Sequence, residues 1–129
     1  MTSILAVHHG GGIGGAPVSM LRLLAALDRA RFEPRALFTE AGRIQTYAAD
    51  LGVPTCTVPM DGGFFYSAHA RLNMRGLTRF LRTFAPSIQQ AQAVLRAERP
   101  DILHLNTSVL LAWAVAARRE RIPVVWMVR

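Results

Sequence analysis

Apolar and polar positions follow one another along this chain in short blocks whose period alternates. Residues 4–7 form an unbroken apolar run that stops at glycines, the pattern of a strand buried on both faces of a parallel sheet. Beyond the glycines, Pro17 predicts the first turn of a helix, and Leu21, Leu24 and Leu27 recur at helical spacing with Arg22 and Asp28 between them. Residues 35–39 predict a second strand, residues 42–51 a short helix stopped by Gly52, and residues 53–58 a third strand whose Pro54 suits a sheet edge. Residues 60–76 are irregular, with Gly62 and Gly63 before Phe64, Phe65 and Tyr66, and predict a loop carrying an aromatic patch. Residues 77–84 are helical. Pro86 then opens a further helical stretch with Ile88, Ala91, Val94 and Leu95 in a stripe, ended by Pro100. Residues 101–105 predict a fourth strand, 109–118 a helix and 124–128 a fifth strand, apolar on both faces.

Strands alternating with helices through short connections predict an α/β fold. It is a Rossmann-like open parallel sheet with right-handed crossovers, helices on both faces and strand order 3-2-1-4-5. Residues 1–129 make one domain. In that order the winding reverses between the first and fourth strands, and open parallel sheets bind ligands beyond the carboxyl ends at such a reversal. The loops after Val7 and Leu105 are therefore where chemistry is expected.

The first of these loops reads His8-His9-Gly10-Gly11-Gly12-Ile13-Gly14-Gly15-Ala16-Pro17. Its glycines, Gly12, Gly14 and Gly15 among them, allow close backbone approach, and the free amides of the next helix favour an anion such as phosphate. Gly10, Gly12 and Gly15 also satisfy G-x-G-x-x-G, with Glu40 near the end of the second strand where a dinucleotide site keeps its ribose-binding acid. An NAD-type dinucleotide-binding domain is therefore an alternative, set behind by a loop in which Pro17 opens the helix after the last glycine. The second loop offers Asn106, Thr107 and Ser108, groups that suit sugar hydroxyls and equally suit capping of the following helix. Asn106-Thr107-Ser108 is formally a glycosylation sequon, discounted without a secretory signal. His8 or His9 can serve as a general base or bond a phosphate. Successive strand residues point to opposite faces, so at most one of them faces the ligand. His9 is the candidate catalytic residue. His104 reads as a core histidine, and His69 has no partner evident from spacing.

Composition narrows the picture. Hydrophobic residues make up 51% and charged residues 18%, enough apolar surface to offset the ordering entropy of a globule. The net charge is +7 and all 15 basic residues are Arg; such a surface suits phosphate, and coding bias produces the same composition. The arginines are scattered rather than clustered among aromatics, so nucleic acid is not an expected partner, whereas peripheral contact with an anionic membrane is permitted. Arg118, Arg119 and Arg121 fall where a helix end favours cations. Cys56 is the one cysteine, so no intrachain disulfide is expected; it reads as a small buried hydrophobe in a reducing cytoplasm. No basic leader precedes the first apolar run, and residues 109–117 are too short to span a bilayer. No Cys or His pair has metal-ligand spacing, so neither a metal nor a resident cofactor is expected.

Three segments carry a resemblance: Gly14-Gly15-Ala16 leading through Ser19 into the Leu-rich helix, Arg99-Pro100-Asp101-Ile102-Leu103-His104-Leu105-Asn106, and Ile122-Pro123-Val124-Val125-Trp126-Met127-Val128-Arg129. Together they resemble the N-terminal, acceptor-side domain of family 4 glycosyltransferases of the two-domain GT-B architecture. The resemblance implies transfer of a sugar from a nucleotide-sugar donor to an acceptor without metal, with the glycine loop near donor phosphates and acceptor and with Asn106 and Arg129 lining the cleft. Many relatives carry His where this chain has Met127, which cannot move a proton. The nucleotide-binding half lies outside residues 1–129, so the chain alone is expected to be inactive. A bare fifth strand independently implies a cover: the chain reads as a fragment, a truncated reading frame or part of a split enzyme. A partner chain or self-association at that edge would supply the cover, and a non-catalytic interaction module is the remaining alternative.

Overall fold

The computed structural model describes residues 1–60 and 74–128. Nine elements follow in chain order: β1 (Thr2–His8), α1 (Gly15–Ala26), β2 (Phe32–Phe38), α2 (Arg43–Asp50), β3 (Thr55–Thr57), α3 (Met74–Glu98), β4 (Ile102–Leu105), α4 (Leu111–Arg119) and β5 (Val124–Trp126). The strands form one sheet in the order β3-β2-β1-β4-β5, every neighbouring pair parallel. The architecture is the Rossmann-like α/β sheet that the alternating pattern predicts.

Strand alternation distributes the core. On one face Leu5 and Val7 of β1 meet Leu103 and Leu105 of β4, covered by Ile88, Ala91 and Leu95 of α3 and Trp113 of α4. On the other, Ala6, Ala36 and Phe38 pack beneath Met20, Leu21 and Leu24 of α1 and Ile44 and Ala48 of α2. Each large side chain so buried contributes about 2 kcal/mol through removal of apolar surface from water. At the amino end, Asp101 ties β4 to β1 by accepting from the Ser3 N–H at 2.8 Å and the Ser3 hydroxyl at 3.1 Å. These bonds hold the Asp101 carboxyl below its ordinary range.

Several elements differ from their predicted form. α1 starts at Gly15, two residues before Pro17; proline is accepted within the first turn because no helical acceptor awaits its missing N–H. β2 begins at Phe32 and contains Pro34. The Ala36 N–H points toward β3, donating to Pro54 O at 2.9 Å, so Pro34 faces the same side, where β3 does not reach. β3 itself is short, and Cys56 is half-buried rather than enclosed. Burial pushes its thiol up, with Glu98 adding to the rise and Arg35 partly offsetting it.

The largest difference is α3. The predicted break at Pro86 is absent: one helix of 25 residues runs through it. Proline removes one helical donor, but the carbonyl left without it belongs to the exposed Arg82, where water can reach. Arg99, which follows the helix, has φ of 45°, a left-handed turn that with Pro100 forbids continuation. The predicted aromatic patch and His69 lie outside the described residues.

Candidate functional site at the carboxyl end of the sheet

β1 and β4 are adjacent and lead into their helices in opposite directions across the sheet, so their following loops part to leave a crevice. The ladder extends past both strands, with the Asn106 N–H donating to Val7 O at 3.1 Å. This places His8, His9 and the glycine loop directly beside Asn106 and Thr107.

Asn106 is fully buried. Its amide Nδ2 donates to Ala16 O in the first turn of α1 at 2.9 Å and lies 3.1 Å from His8 Nδ1. One side chain thus joins the ends of β4 and β1 to the start of α1. Neither predicted role for this residue covers that. It does not cap α4, whose N-cap is Leu110 without a side-chain bond, and its amide nitrogen is committed to the protein. Among the described residues its Oδ1 has no hydrogen-bond partner, and a buried acceptor in that condition favours any donor that reaches it.

The two histidines divide as strand alternation predicts. His8 is buried with its ring 6.3 Å from that of Phe38. His9 is part-exposed, and its Nδ1 lies 3.0 Å from Thr107 Oγ1. Burial lowers the pKa of His9 below its ordinary value of 6.5, and the charge of Glu40 raises it in part. His9 is therefore neutral at neutral pH. His104 is buried in β4.

In the glycine loop, Gly12, Gly14 and Gly15 are exposed, with Gly14 as the N-cap of α1 and no side chain capping that helix. Backbone amides at such an end favour negative charge. Gly10 takes φ of 82° and its N–H donates to Thr39 Oγ1 at 2.9 Å. Gly11 is buried against the segment that follows β2: a Cβ on Gly42 would lie 2.0 Å from Gly11 O, and one on Gly11 would lie 2.6 Å from Ala41 O. The Ile44 N–H donates to the same Gly11 carbonyl at 3.3 Å. Only two glycines allow this crossing.

Sequence reasoning missed Thr39, Gly11 with Gly42, and the anchoring of Thr107. Once His8 pairs with Phe38, Thr39 must neighbour the glycine loop, so its role was recoverable from register. Nothing local marks Gly42. The Thr107 carbonyl accepts from the indole Nε1 of Trp126 at 2.7 Å, which ties β5 to the second loop. Arg129 lies outside the described residues. Among the described residues no group of three His, Cys, Asp or Glu could hold a metal, and no helix is long and apolar enough to cross a membrane.

An open parallel sheet with a glycine turn and a polar turn side by side at its switch point defines a Rossmann-like domain with a candidate ligand crevice. A family model, the glycosyl transferase 4-like domain, matches residues 14–129; the chain belongs to this family. No curated protein matches it. Among solved structures, it is similar to MurG of Acinetobacter baumannii with 16% identity and a TM-score of 0.66, over 99% of this chain and 35% of that one. It is likewise similar to S. aureus MnaA, solved with UDP, with 16% identity and a TM-score of 0.62, over 98% of this chain and 29% of that one. Anabaena Alr3699/HepE, in complex with UDP and glucose, gives 18% identity and a TM-score of 0.58, over 96% and 29%. These likenesses establish the shared fold, and the chain spans about a third or less of each structure's length.

Proposed function

We propose that this chain is the acceptor-side half of a nucleotide-sugar-dependent glycosyltransferase, and that it transfers sugar only together with a second α/β half that holds the donor. The observation that carries this reading is the meeting of the exposed glycine turn with Asn106 and Thr107 in a chain of the glycosyl transferase 4-like family. UDP bound to MnaA and to Alr3699/HepE, which share the fold, supports a uridine nucleotide as donor carrier.

In this reading Gly12, Gly14 and Gly15 bring backbone N–H groups to the donor phosphates, where the α1 dipole favours their charge. Thr107 lines the cleft. Asn106 holds the two turns together and offers Oδ1 to a hydroxyl. His9 receives the acceptor's proton: with Nδ1–H donating to Thr107 Oγ1, the lone pair lies on Nε2, and a ring kept neutral by burial is ready to take a proton at neutral pH. No metal or resident cofactor enters this scheme.

Calorimetric titration with UDP, GDP and NAD tests the reading. Heat with UDP or GDP that falls on replacing Gly14 with a bulkier residue is the expected outcome. Glu40 lies beside the glycine loop, where a dinucleotide site keeps its ribose-binding acid. Selective NAD binding weakened by Glu40→Gln would therefore overturn the sugar-transfer reading.

A further inference from the structure

The loop after β4 is held by few bonds of its own. Among the described residues, none of residues 107–109 makes a backbone-to-backbone hydrogen bond. The Thr107 carbonyl is held instead by a side chain of the outer strand, the indole Nε1 of Trp126 at 2.7 Å. Trp126 pairs with Leu105, so its ring reaches two residues past its own register to bond Thr107. The backbone is fixed where that reach begins, because the Met127 N–H donates to Leu105 O at 2.8 Å. A long, stiff side chain with one donor at its far edge suits such a span, since indole donates and does not accept.

Thr107 is therefore held on both sides. Before it, Asn106 is laddered to Val7 O and joined through its side chain to Ala16 O. After it, the Trp126 indole fixes the plane of the peptide between Thr107 and Ser108. With the backbone so set, a β-branched side chain keeps few χ1 positions, and here the hydroxyl Oγ1 stands 3.0 Å from His9 Nδ1. Two other groups face that ring: His8, whose tilted ring lies 4.8 Å away, and the charge of Glu40. Which nitrogen of a neutral imidazole carries the proton is set by the hydrogen bond made at the other position. With the Thr107 hydroxyl accepting from Nδ1–H, the lone pair stays on Nε2.

We propose that Trp126 is a positioning residue for His9, acting through Thr107: the outer strand fixes the loop whose hydroxyl selects the His9 tautomer. The inference rests on the reading of His9 as the acceptor's base for its catalytic meaning, whereas the chain of contacts from Trp126 to His9 belongs to the domain alone and is measured there. A strand at the flank of the sheet thus sets the state of a ring at the switch point, with β4 between them. Nothing on β1 itself does so, because the partner of Nδ1 lies 98 residues away in sequence.

Imidazole nitrogen NMR of the chain, labelled in histidine, tests it. In the parent at neutral pH, His9 should carry its proton on Nδ1. Two replacements remove the indole donor: Trp126→Phe, and benzothienylalanine incorporated at position 126, which keeps the bicyclic ring. Each should lower the ratio of the Nδ1–H to the Nε2–H form about threefold, the worth of one exposed hydrogen bond. Val125→Lys, on the same strand with its side chain on the opposite face, should leave the ratio as in the parent. A parent His9 protonated on Nε2, an unchanged ratio in both Trp126 variants, or an equal change in Val125→Lys would overturn the proposal. A ratio that shifts as expected in a chain giving no heat with UDP or GDP upholds the positioning and tells against sugar transfer instead.

Discussion

The carboxyl end of β1 and β4 and the outer strand β5 belong to the same sheet, yet one is knitted together and the other is bare. At the first, Asn106 is fully buried with its amide shared between Ala16 and His8, and Gly11 and Gly42 cross at backbone contact. At the second, Val124, Val125 and Trp126 are exposed although β5 alternates faces as any strand does. β3, the opposite edge, shows what a managed edge looks like: threonines at Thr55 and Thr57, the latter bonded to Gln45, and Pro54 leading in. β5 shares the leading proline, Pro123, but carries apolar residues where β3 has threonines. Precision is concentrated where two loops must be held in one relative position, whereas β5 carries exposed apolar side chains.

Substitutions can break this contrast or sharpen it. Gly42→Ala should have the largest effect, about 3 kcal/mol of lost stability, because its Cβ would meet the backbone carbonyl of Gly11 rather than a movable side chain; a denaturant midpoint equal to the parent's would show that the crossing is loose. Asn106→Ala should cost about 2 kcal/mol by removing a buried donor, and hydrogen exchange at the start of α1 should quicken with it. Val125→Lys at the bare edge should move stability by less than about 0.5 kcal/mol. It should nevertheless lower self-association on size-exclusion chromatography, and a parent chain that stays monomeric at high concentration would contradict the view of β5 as a pairing edge.

His9 lies between the two regimes and supplies the smallest energetic effect. Its folded pKa is depressed below 6.5 by burial, so the unfolded chain binds the proton more readily. Stability is unaffected above 6.5 and declines as pH falls from there through the folded value. An imidazole titration by NMR with a midpoint at or above 6.5 would contradict the placement of the ring. If His9 takes the acceptor's proton as proposed, the acid limb of kcat/KM, measured with the second half present, should fall below 6.5 and disappear in His9→Gln.

Much of this was legible before any coordinates. The short apolar run 4–7, the leucines of α1 and the return of strand pattern at 102–105 require only that backbone polarity and apolar burial be satisfied with the right period. From their order the switch point between β1 and β4 follows by handedness. Other features rest on contacts between residues far apart in sequence. Pro86 reads locally as a helix start, and only an exposed Arg82 carbonyl allows α3 to pass through it. Asn106 reads as a cap or a sugar ligand, and only the closeness of Ala16, 90 residues away, makes it a staple.

The chain's own pattern therefore determined the sheet, its order and the place of the crevice, because periodic burial and right-handed crossover act on every element alike. Tertiary structure decided which polar side chains face the ligand and which hold the loops, because those choices depend on single contacts that no local period encodes. It also decided how much of α3 enters the core: the stripe of apolar residues is continuous along the helix, but only from Phe84 onward does it meet the core cluster.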